Sequence, residues 1–157
     1  MNRFLFISFA LISLYNCTKK VGTNPESAFA DKALFDSAHS QKYKYYKNTD
    51  TLLSGTHGPH GAFKLRFNSI AYKALTDDGK LPVNGKFPEA SFIVKDIYTN
   101  GNLIAYAYMY KHNGSWLWGE VNSDGKFSFT AKDGPISCVP CHSQAGNRDY
   151  ANSFSFY

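Results

Sequence analysis

The chain has 157 residues, with 17 Lys and Arg against 12 Asp and Glu, a formal charge of +5. That length supports one domain with a real core, and so modest and dispersed a positive charge excludes nucleic acid as the partner implied by composition. The 13 Phe and 11 Tyr are enough to build the core and the half-buried strand faces and still to line an apolar cofactor pocket.

Met1-Asn2-Arg3 and the apolar run Phe4 to Leu14 have the charge and length of a secretory signal, placed here at residues 1–16. The run is well short of the roughly 20 apolar residues that span a bilayer. Leu14-Tyr15-Asn16-Cys17 is similar to a bacterial lipobox, with Tyr15 and Asn16 where small residues are usual. Cys17 is therefore the expected lipidation site and residues 17–23 a tether, an ordinary cleaved signal being the alternative. Either way the protein is exported, to the periplasm or outer envelope, and meets a membrane only through its lipid. Residues 24–157 form the single domain.

Asn24 can cap a helix that starts at Pro25, and Ala28, Phe29, Ala33, Leu34 and Ala38 space an apolar face through about Ser40. His39 at its end is expected to face solvent. Gln41 to Asp50 shows no period, and Thr49 to Gly61, with His57 and His60, reads as a loop. From Ala62 the pattern is that of a strand: Phe63, Leu65 and Phe67 give one apolar face, Lys64 and Arg66 a basic one. Asn68-Ser69 caps a short helix through Leu75. Four strands are predicted next, Ser91 to Tyr98, Leu103 to Tyr110, Ser115 to Asn122 and Lys126 to Thr130. Asn100-Gly101, Asn113-Gly114 and Asp124-Gly125 turn the chain between them. The class is mainly β (α+β), an antiparallel meander with an N-terminal helix. Both faces of the second of these four strands are expected to be covered, and the tail Asn152 to Tyr157 can add a last strand.

Cys138-Val139-Pro140-Cys141-His142 carries the residue types that attach a c-type haem. Two thiols add to the vinyl groups and the adjacent imidazole binds iron. Cys138 and Cys141 are the candidate tethers and His142 the candidate metal ligand. A redox Cys-x-x-Cys pair or half of a zinc site are the alternatives. The first lacks a βαβ context and the second lacks a further ligand pair. Of the three cysteines, one serves the lipid and two the haem, so no structural disulfide is expected.

The order of parts resembles the cytochrome P-460 family, which includes the cytochrome c′-beta proteins. The resemblance rests on His57-Gly58, Leu65-Arg66-Phe67-Asn68, Phe87-Pro88 through Ile93-Val94-Lys95-Asp96, Trp116-Leu117-Trp118, and Cys138 to His142 followed by Asp149-Tyr150. It implies a mainly antiparallel β domain, commonly a homodimer, holding one c-haem with a proximal histidine and no protein ligand opposite. An open iron position binds small molecules such as nitric oxide or carbon monoxide, whereas two strong protein ligands would make an electron carrier with a redox partner protein. The resemblance further implies an apolar cover over the iron, for which Phe63, Phe67, Phe87 and Phe92 are available. Met109 and the loop histidines 57, 60 and 112 are the residues that can instead close the iron.

Some members of that family link a lysine to the haem rim and oxidise hydroxylamine. Lys64 is the candidate for such a link, with Phe63 an equally good match and an outward lysine the simpler reading. No carboxylate occurs between Ile97 and Trp118, which counts against oxidation chemistry, and Glu120 and Asp96 are the substitutes. The anchor is tested by Cys17→Ser. The variant should lose metabolically labelled fatty acid and its partition into detergent, and an unchanged mature mass would show that Cys17 is not lipidated.

Overall fold

The computed structural model describes residues 25–40, 42–55, 60–131, 133 and 136–152. The expected signal segment, Cys17, Asn24, His57 and the tail 153–157 lie outside the described residues. Helix α1 runs Pro25–Ala38, followed by the two-residue strand β1 (Lys44–Tyr45) and a 3₁₀ turn at Tyr46–Asn48. Strand β2 (Ala62–Phe67) and helix α2 (Ser69–Lys73) lead to β3 (Phe92–Thr99), β4 (Asn102–His112), β5 (Ser115–Asn122), β6 (Phe127–Phe129) and the one-turn helix α3 (Val139–His142). The six strands form one antiparallel sheet in chain order. The mainly β meander expected from the sequence is therefore the architecture observed.

Its register is pinned by hairpins whose central residues take positive φ: Asn100 and Gly101 at 50° and 78°, Asn113 and Gly114 at 51° and 72°. Two successive positive φ values define the type I′ turn, whose twist matches that of the strands it joins. Thr99 lies opposite Asn102 and His112 opposite Ser115. A bulge between Ile97 and Tyr98 shifts the β3–β4 pairing by one residue, so that Ile97 meets Ala105, and the turns together with this bulge assign every side chain farther along to a face. On one face Phe63, Ile97 and Ala105 form a row, Leu65, Lys95, Ala107 and Glu120 a second, and Phe67, Ile93, Met109 and Trp118 a third. This face belongs to the larger core, with Phe87, Leu81, Trp116 and Ala151, and Cys138 packs against it. The opposite face carries Phe92, Val94, Tyr106, Tyr108 and Val121, covered by Leu34 and Ala38 of α1. Gly119 permits close packing there, since a Cβ at that position would lie 2.3 Å from the Tyr108 ring.

The differences from expectation share one cause, polar side chains that the fold buries. Ala33 is exposed, and α1 turns Asp31 inward instead, 8% exposed, with its carboxylate accepting from the Ala131 amide at 2.6 Å. His39 is not a solvent-facing residue: its ring packs on Phe35 and Tyr106, with centroids 4.1 and 4.4 Å apart. Arg66 does not make a basic outer face. It is 4% exposed, bound through two nitrogens to both carboxylate oxygens of Asp96. It also donates to the carbonyls of Ala38 and Ser40, so it satisfies the end of α1 and ties the helix to the sheet. Strand β1, in a stretch without period, exists because Lys44 and Tyr45 pair with Phe67 and Arg66.

Asn68 joins three segments. Its Oδ1 accepts from Ala71 at 2.9 Å and Phe92 at 3.1 Å, and its amide donates to the Ala90 carbonyl at 2.8 Å, so the cap of α2 also sets the start of β3. Replacing Arg66 by Met should cost about 3–5 kcal/mol, because Asp96 would be left as an uncompensated buried charge. Denaturant unfolding of Arg66→Met measures it, and a loss below 1 kcal/mol, the scale of an exposed pair, would contradict this account.

Candidate functional site

Helix α3 is a single turn, closed by the His142 amide on the Cys138 carbonyl at 3.1 Å and the Ser143 amide on the Val139 carbonyl at 2.8 Å. Pro140 suits the start of so short a helix, where its missing N–H costs nothing. Cys138 and Cys141 are both free thiols, partly buried. Burial, with Glu120 and Cys141 nearby, pushes the Cys138 thiol above the usual range, so it rests protonated.

The His142 ring meets the edge of Trp118, with centroids 4.7 Å apart at 75°. Its Nδ1 is 2.7 Å from the Tyr150 carbonyl. A carbonyl can only accept, so Nδ1 carries the proton and Nε2 is the nitrogen with a free lone pair. Burial lowers the histidine's basicity, and the Tyr150 bond opposes this. Asn147 donates to the carbonyls of Cys141 and His142, at 3.0 Å each, and so holds the last turn from below.

The sheet face beside α3 is not lined by aromatic residues alone. Lys95, in the middle of β3, puts its ammonium 4.3 Å from the centre of the Phe63 ring, and burial pushes it down to about 8. Glu120, two positions along β5 from Trp118, is held above the usual carboxylate range by burial. His60 Nδ1 is 3.7 Å from Glu120 Oε2. Burial, helped by Lys95 and His142, pushes His60 down to about 4, so at neutral pH this contact is polar and not ionic. The electrostatic reach of Lys95 to His142 and of Glu120 to Cys138 places these groups in the same neighbourhood as α3.

Of the residues singled out in the sequence, Cys138, Phe63 and Phe67 share one core, and His142 joins it through Trp118. Phe92 does not. It stacks on Tyr108 at 5.7 Å in the core beneath α1, because an even-numbered residue of β3 faces away from α3. Lys64 is likewise on the far face, for the same alternation in β2, with its ammonium 3.6 Å from Asp50 and over the Tyr45 and Tyr98 rings. Of the two substitute carboxylates, Asp96 is committed to Arg66 and only Glu120 faces the α3 side. Met109 is buried in the larger core between Ile93 and Trp118. Lys95 was legible in principle, since it shares strand parity with Ile93 and Ile97 in a run without other inward polar residues.

Two thiols and an Nε2 lone pair on one helical turn, beside a sheet face that combines aromatic and aliphatic side chains with Lys95 and Glu120, form a donor set that fits a covalently held tetrapyrrole iron. Among the described residues no group of three or more His, Cys, Asp or Glu stands close enough to hold a metal ion by protein ligands alone. Compared with known proteins, the chain matches no family model, and no curated protein or solved structure is significantly similar to it.

The buried ammonium of Lys95 has a consequence for stability. Its folded-state pKa, about 8, lies below the usual 10.4 of an unfolded chain. Between these values the unfolded chain holds the extra proton, so stability rises with pH across that window. Relative to Lys95→Met, the wild type should gain up to about 3 kcal/mol between pH 8 and 10.5. Parallel urea titrations of the two proteins measure the gain, and identical pH slopes would show that Lys95 is not buried as described.

Proposed function

We propose that the protein is an exported, lipid-anchored c-type cytochrome of the cytochrome P-460 and c′-beta kind, whose iron keeps one face open for a small gas such as nitric oxide. The observation that carries this reading is the arrangement of α3: two free thiols one helical turn apart, followed by an imidazole whose Nδ1 is taken by the Tyr150 carbonyl. That bond leaves Nε2 as the ligating atom, the role that a second-shell acceptor has in metal-bound histidines.

In this reading Cys138 and Cys141 hold the haem by thioethers, and His142 is the proximal ligand. The haem supplies an iron that binds diatomic ligands and changes oxidation state. Trp118 wedges the His142 ring from the sheet side, and Phe63 and Phe67 contribute apolar surface to the shared core. Phe92 and Lys64 have no part in it.

A second reading, an oxidoreductase acting on hydroxylamine or nitric oxide, is favoured by one observation. Glu120 is a half-buried carboxyl with a raised pKa, next to the neutral His60. A carboxyl whose pKa is raised is a better proton acceptor than an ordinary one, which is the property that general acid-base chemistry uses. Its position on β5 supplies the acid whose absence between Ile97 and Trp118 counted against such chemistry.

Protein produced with a haem-attachment system should give the alkaline pyridine spectrum of a covalent c-haem and, when ferrous, should bind carbon monoxide. Cys138→Ala with Cys141→Ala should abolish the covalent haem. An acid-acetone-resistant haem in the double variant, or none in the wild type, would overturn the assignment. Hydroxylamine turnover that falls by 10²-fold or more in Glu120→Gln, the scale of general acid-base catalysis, would decide for the enzyme.

A further inference from the structure

Tyr150 accepts the His142 proton from a turn that the chain does not adopt for free. Asp149 and Tyr150 are consecutive non-glycine residues at φ values of 49° and 66°, in the left-handed region that L side chains enter only when their surroundings hold them there. What holds them is visible. The Asp149 carboxylate is 1% exposed and lies 3.1 and 3.0 Å, through its two oxygens, from the Lys111 ammonium, which is 6% exposed.

Three further contacts fix the same residue. Asp149 Oδ2 accepts from the Phe87 amide at 2.9 Å. The Asp149 backbone carbonyl accepts from Trp116 Nε1 at 2.9 Å, and the Trp116 ring lies 4.8 Å from the Lys111 ammonium. The exposed Lys86 approaches Oδ1 at 3.5 Å. On the other side, Arg148 binds Asp77 and the Leu81 carbonyl. Lys111 reaches this point because β4 runs to His112 and parity turns residue 111 toward the α3 side. A buried ion pair of this kind is weak support for stability as such, and its geometry here serves a neighbour.

We propose that the Lys111–Asp149 ion pair is a positioning device for His142. It locks the left-handed Asp149–Tyr150 turn so that the Tyr150 carbonyl stays on Nδ1, which keeps Nε2 the ligating nitrogen and raises its donor strength. Lys111 and Asp149 are positioning residues and touch neither the iron nor its ligand. The inference rests on the haem reading above and adds to it the element that tunes the proximal ligand. A stronger imidazole donor favours ferric over ferrous iron, so loosening the turn moves the reduction potential upward.

The test uses holoprotein of the wild type, of Lys111→Met with Asp149→Asn, and of Lys111→Arg. The double variant removes both buried charges together and leaves only the exposed Lys86 without its partner. Pyridine spectra first establish that haem is attached. The iron–histidine stretching band of the ferrous form and the reduction potential are then measured. The double variant should shift the band to lower frequency and the potential upward, and Lys111→Arg, which keeps the pair, should leave both near the wild type. If the double variant yields no folded holoprotein, Trp116→Phe, which removes the donor to the Asp149 carbonyl and shortens the ring beside Lys111 but keeps the ion pair, should shift both in the same directions. Attached haem with an unmoved band and potential overturns the positioning role even if the melting temperature falls. A wild type without covalent haem overturns the haem reading instead, and the inference with it.

Discussion

The register of the meander is the constraint on which everything else depends. Two I′ hairpins with Asn-Gly at their tips, and the bulge between Ile97 and Tyr98, fix how β3, β4 and β5 pair, and a slip of one residue would exchange the two faces of the sheet. Because the register holds, Lys95, Glu120 and Trp118 reach the side on which α3 sits, while Asp96, Tyr106 and Tyr108 reach the side under α1. The polar environment of the candidate site is therefore a property of turn chemistry as much as of the residues that line it.

A sheet covered on both faces must also accommodate the charges its strands carry. Arg66 and Asp96 solve this by pairing with each other and by spending the remaining guanidinium donors on the open carbonyls at the end of α1. Lys111 and Asp149 also pair with each other, around the turn that faces His142. Lys95 and Glu120 differ from both pairs. Burial lowers the pKa of the one and raises that of the other, which moves each toward the pH range where it can change charge.

The proximal side is built with more constraint than the side facing the sheet. His142 has a fixed proton acceptor, Asn147 holds the carbonyls of its helix turn, and the segment that follows is bound from Phe87, Lys111, Trp116 and Leu81. A ligand whose orientation is set by so many bonds before any metal arrives loses little freedom on coordination. The proposed iron would therefore meet a preorganised imidazole, and chemical variation would come from the Lys95 and Glu120 side.

Local patterns carried much of this protein's description. Alternation along Phe63, Leu65 and Phe67, the Asn-Gly turns, the Asn68 cap and the spacing of Cys138, Cys141 and His142 are all short-range signals, and strand limits read from them fall within two residues of those observed. The mainly β meander follows from these alone, because neighbouring strands joined by tight turns have no other way to pair. Partners far apart in the chain were not legible. Nothing near Arg66 announces Asp96 or the end of α1, nothing near Asp149 announces Lys111, and β1 is too short to show a period. Phe92 and Lys64 face away from α3, which hydrophobicity and proximity in sequence do not reveal, because the face a residue takes is undecided until register is known. Parity along the strand, set by the turns and read across the sheet, decided which side chains stand beside His142.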